Sequence, residues 1–87
     1  MRTVWIDCAS VKTADEFWQL YLTQVQPEGA AIFGRNLDAF WDAVESGGPG
    51  WPNARLVIEN TANLDSDFLE KLRLIATEAT LTEIKIT

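Results

Sequence analysis

Three short apolar runs, Thr3 to Cys8, Leu56-Val57-Ile58 and the closing TEIKIT, are separated by stretches of helical periodicity and never by a two-residue turn. Strands joined through helices run in the same direction, and right-handed crossovers place them side by side in one parallel sheet. The order strand, helix, helix, strand, helix, strand therefore predicts an α/β fold around a small parallel sheet. With 87 residues, 47% of them apolar, the chain suffices for one core and leaves no room for a second. A single domain over residues 1–87 is expected.

Local signals place the elements. Thr13 followed three residues later by Glu16 is a capping box that starts a helix over about Ala14 to Val25, and Pro27 with Gly29 ends it. Asn36 is a good N-cap for a second helix, in which Leu37, Phe40, Trp41 and Val44 recur at i, i+3, i+4 and i+7. The following SGGPGWPN is dense in turn residues. Asp65 or Asp67 caps a third helix ending near Thr80, with Phe68, Leu69, Leu72, Ile75, Ala76 and Ala79 facing inward. Leu56-Val57-Ile58 reads as a strand covered on both sides or at the middle of a sheet, and TEIKIT as a half-exposed edge strand with Lys85 outward.

Composition removes several classes of function. The balance of 13 acidic against 7 basic side chains, a net charge of −6, repels phosphate polymers and anionic headgroups and suits a basic protein partner. Neither direct nucleic-acid binding nor membrane association is expected. Histidine is absent, so the usual general base and the commonest metal ligand are missing. The single cysteine, Cys8, cannot form an internal disulfide, which points to a reducing compartment. No cofactor is expected. With no signal-peptide pattern at MRTVWIDCAS and no long apolar span, the expected location is the cytoplasm.

The second helix holds the chemistry. Asp38 and Asp42 stand four apart, and with Glu45 they gather beyond the Trp41 edge of the apolar stripe as an acidic ridge. Like charges at this spacing cost an isolated helix about 0.2 to 0.5 kcal/mol. Asp38 recovers about 0.3 to 1 kcal/mol from the helix dipole, whereas Asp42 lies one turn further in, with no cation three or four residues away within the helix. Ala39 and Ala43 are expected to face away from the core, leaving the ridge open to a partner. Trp5, Trp18 and Trp41 read as core residues. Trp51, between Gly50 and Pro52 in a flexible loop, reads either as local packing or as an aromatic anchor for a partner.

Gly34, Asn36, Leu37, Asp38, Ala39, Trp41 and Asp42, with LVIEN and the closing TEIKIT, resemble the barstar family, intracellular inhibitors of a secreted bacterial ribonuclease. The resemblance follows element order along nearly the whole chain and is specific around the second helix. It implies a barstar-like two-layer fold, a three-stranded parallel sheet packed with about three to four helices. It also implies that Asp38 and Asp42 enter a nuclease active site in place of RNA phosphates. Gly34, Arg35 and Asn36 in the preceding loop, Leu37, Trp41 and Glu45 on the helix, and Trp51 beyond it complete the implied or candidate partner surface. The chain departs from the family at Ile32 and Phe33, which replace a pair of tyrosines, and at Arg35, which reverses an acidic position. On the third helix Leu74 aligns with a further acidic contact, leaving Glu70 and Glu78 as substitutes.

The expected function is inhibition of a basic ribonuclease, secreted or delivered into rivals, by an immunity protein that is a monomer when free. The alternative is a scaffold or regulatory module on the same fold with a non-nuclease partner. An enzyme using Asp38 and Asp42 as a carboxylate pair lacks a histidine and a complete ligand set, and Asp65-Ser66-Asp67 lacks the remaining positions of a calcium loop.

Overall fold

The computed structural model describes residues 2–87. Strand β1 (Thr3–Asp7) is followed by α1 (Ala14–Val25), α2 (Leu37–Ser46), β2 (Arg55–Glu59), α3 (Ser66–Glu78) and β3 (Ile84–Ile86). Short 3-10 turns at Ala30–Ile32 and Thr61–Asn63 precede α2 and α3. The sheet is three-stranded and parallel in the order β1-β2-β3, so β2 is central, a place its continuous apolar run suits.

Register decides which side chains enter the core. Ile6, Ile58 and Ile86 align across the sheet, as do Val4, Leu56 and Ile84, and these rows meet the helices. The row between them, Trp5, Val57 and Lys85, points to the opposite face. Both crossovers advance across the sheet in the same direction, so right-handedness puts every helix on one side. Trp5 is consequently 58% exposed, which corrects its expected place in the core. Its hydrophobicity concealed its alternation with Ile6.

The helical layer closes on an aromatic cluster centred on Trp18. Its ring centroid lies 5.1 Å from Phe17, 5.6 Å from Phe33, 5.4 Å from Phe40 and 5.5 Å from Phe68, mostly edge to face. The α1 capping box forms as predicted: Thr13 Oγ1 accepts from Glu16 N–H, and Glu16 Oε1 accepts from Thr13 N–H. At the other end of α1 there is no basic residue in the last turn. Arg2 serves instead, its Nη2 donating to the carbonyls of Val25 and Pro52, both at 3.0 Å. The third helix starts on the Asp65 cap and stops at Glu78. None of the helices is long and apolar enough to cross a membrane, among the described residues.

Candidate functional site

Helix α2 is held by a loop at each end, and Gly50 joins the two. In the approach loop Phe33 is buried, with its ring 5.7 Å from that of Tyr21. Gly50, at φ +91°, leaves the space that the Phe33 ring fills, so a methyl group there would strike the ring. Tyr21 Oη donates to the Gly50 carbonyl at 2.6 Å, and Gly50 N–H donates to the Glu28 carbonyl at 2.7 Å. Burial pushes the Tyr21 hydroxyl upward in pKa, which keeps it a donor. Phe33 thus contributes packing between these loops.

The last residues before α2 set its first turn. Arg35 adopts a left-handed conformation at φ 53°, and its Nη2 donates to Gln19 Oε1 on α1 at 2.7 Å. Gly34 is exposed and accepts from Asn36 Nδ2 at 3.2 Å. Asn36 caps the helix, its Oδ1 accepting from Ala39 N–H at 2.7 Å. The loop is therefore fixed by bonds to α1 and to the helix it introduces.

On α2 itself Phe40, Ala43 and Val44 are fully buried, while Leu37, Ala39 and Trp41 are half-buried. The expectation that Ala39 and Ala43 face outward is therefore wrong. The core face is rotated toward the alanines: Ala43 belongs to the buried core and Ala39 packs against it. The same rotation lifts Trp41 partly out of the core. Asp38 and Asp42 are exposed, and among the described residues neither carboxylate forms an ion pair or accepts a hydrogen bond.

Glu45 behaves differently. Its Oε1 accepts from Thr80 N–H at 2.7 Å, Thr80 Oγ1 at 2.9 Å and Leu81 N–H at 3.1 Å. These bonds, led by that from Thr80 N–H, hold its carboxyl below the usual glutamate range. The third acid of the ridge thus fastens α2 to the loop after α3.

Asp38 and Asp42 have different neighbours. Asp38, with Asn36, Leu37 and Trp41, lines one wall of an open groove of about 610 Å³. Lys71, Leu74, Ile75 and Glu78 of α3 form the other wall. Asp42 is outside this groove, its carboxylate lying over the Cα of Gly48 in the next loop. Trp51 is half-buried, with an indole carbon 3.9 Å from where a Cβ on Gly47 would stand, so the loop aromatic packs at the exit of α2.

The α3 wall brings in residues that the sequence reading did not assign to the site. Lys71 and Ile75 were missed. Their signal lies in the 71, 74, 75, 78 spacing, a second stripe beside the core stripe, with Leu74 at 57% exposure as its apolar member. Glu78 joins the groove, and Glu70 is exposed outside it. Among the described residues no group of three or more His, Cys, Asp or Glu side chains could hold a metal ion.

Comparison with curated proteins gives no match. The family model described as Barstar (barnase inhibitor) matches residues 1–85, which include every strand and helix except the last residue of β3. With a three-stranded parallel sheet under three helices and an acidic α2 between two braced loops, the chain belongs to the barstar family.

Proposed function

We propose that the protein inhibits a bacterial ribonuclease by inserting the acidic face of α2 into the cationic cleft that binds RNA phosphates. The observation that carries this reading is the pair of exposed carboxylates, Asp38 and Asp42, left without an internal hydrogen bond or ion pair among the described residues on a helix braced at both ends. Membership in a family of barnase inhibitors supports it.

A carboxylate presents two oxygens that accept charge-assisted hydrogen bonds from guanidinium and ammonium groups, often in pairs. A ribonuclease cleft offers these donors to phosphate. Asp42 is the anion for the deepest position and Asp38 for a flanking cation. Because neither must leave an internal partner, binding loses no intramolecular bond. The approach loop through Gly34, Arg35 and Asn36 supplies the adjoining surface, with Leu37 and Trp41 alongside. Glu45 acts through the fold by holding the loop after α3, and Trp51 packs at the exit of α2. The net charge of −6 accelerates encounter with a basic partner in a salt-sensitive way.

In this reading the partner is a secreted or delivered ribonuclease, and the inhibitor works as a cytoplasmic monomer that protects the cell making it. It performs no catalysis. The test is inhibition of RNA cleavage by barnase and a panel of barnase-like extracellular ribonucleases, each mixed with the protein at equal molarity. Abolished cleavage by at least one enzyme, relieved by Asp42→Ala far more than by Glu16→Ala, is the expected result. No inhibition across the panel, or inhibition indifferent to both aspartates, overturns the reading.

A further inference from the structure

We infer that Gly48 is a positioning residue for Asp42, present to leave room for the carboxylate rather than to permit a turn. This inference rests on the proposed role of Asp42. Gly29, Gly47 and Gly50 have φ between +71° and +91°, where a side chain is strained. Gly48 does not, so a left-handed backbone is not what calls for glycine there.

A Cβ at Gly48 would instead meet an Asp42 carboxylate oxygen, with the carboxyl carbon at 2.9 Å. The atom displaced is the far end of a flexible side chain, so the fold can accept alanine while Asp42 cannot keep its present direction. Gly48 belongs to the loop fastened to α2, where Gly47 N–H donates to the Ala43 carbonyl at 3.2 Å and Trp51 N–H to the Gly48 carbonyl at 3.0 Å. This bracing keeps the vacant Cβ position in a constant place relative to the helix. Asp42 therefore lies over the loop while Asp38 lines the groove shared with α3, and the helix offers two anions in two settings. A partner is read at two cationic positions, with Gly48 setting the direction of one.

The experiment compares wild type, Gly48→Ala, Asp42→Ala and the double variant. In the free protein, three-bond couplings about Asp42 χ1 are measured by NMR. A dominant rotamer in wild type that changes in Gly48→Ala is expected, with a melting temperature unchanged or raised because alanine restricts the unfolded chain. Averaged couplings in wild type, or the same couplings in both proteins, overturn the inference. Against a ribonuclease that wild type inhibits, Gly48→Ala raises the inhibition constant about tenfold, and the same change has no effect in the Asp42→Ala background. Equal weakening in both backgrounds overturns positioning, since Gly48 would then act through its own contact. If the panel contains no inhibited enzyme, the proposed function fails while the couplings still decide whether Gly48 orients Asp42.

Discussion

Two sets of acids on this small domain live under opposite conditions. At the start of α1, Glu16 Oε1 accepts from the N–H groups of Lys12 and Thr13, both at 3.1 Å, and on the α3 side of α2 Glu45 accepts three bonds from Thr80 and Leu81. In both cases the bonds to backbone N–H are the main cause that holds the carboxyl below its ordinary range. Asp38 and Asp42 are exposed and, among the described residues, without such donors. Acids that meet backbone donors define where elements begin and loops attach. Acids that meet none add repulsion to the free protein, and in the proposed function their value lies in what they meet on another molecule.

The strongest way to separate folding from function is to attack each where the other is absent. Trp18→Ala, in the centre of the aromatic cluster and 2% exposed, should lower stability by about 3 to 5 kcal/mol, measured by chemical denaturation. Asp42→Ala should weaken ribonuclease inhibition on the order of 100-fold, the loss of a hydrogen-bonded charge worth about 2.7 kcal/mol. The same variant should be more stable by a few tenths of a kcal/mol, because a like-charge pair is removed and alanine is the better helix former. A loss of stability in Asp42→Ala would break the comparison, for it would show that this acid also serves the fold.

Asn36→Ala sharpens the contrast at an intermediate size. Removing the α2 cap should lower stability by about 1 kcal/mol, read from thermal or urea unfolding.

The smallest effect is a pH dependence. Since bonding lowers the folded pKa of Glu45, its contribution to stability is present above the unfolded value near 4.5 and disappears as pH falls through the folded value. Glu45→Gln should therefore be less stable than wild type at neutral pH. The difference should close on acidification below the ordinary glutamate range, as melting curves across that range would record. A gap that stays constant with pH would assign the Glu45 contribution to shape rather than charge.

Much of the architecture was legible because it depends on local pattern. The Thr13–Glu16 box, the Asn36 cap and the strand at Leu56-Val57-Ile58 follow from residue type and spacing, and all three occur. The errors share one cause. Trp5 and Ala43 were placed by hydrophobicity or by one helix's own stripe, whereas burial depends on which neighbouring element covers a face. Trp5 lies on the sheet face opposite the helices and Ala43 lies within the buried core. Likewise Lys71 and Ile75 join Asp38 only because α3 runs beside α2.

By itself the order of apolar runs and caps determined a parallel α/β domain with an acidic second helix, since hydrogen-bonding ends and side-chain periodicity are properties of neighbouring residues. Only the tertiary structure decided that Glu45 is bonded internally, that Asp38 borders a groove and that Asp42 turns over Gly48. The direction and availability of a carboxylate depend on donors and empty space supplied by segments distant in the chain, and spacing along one helix carries no record of them.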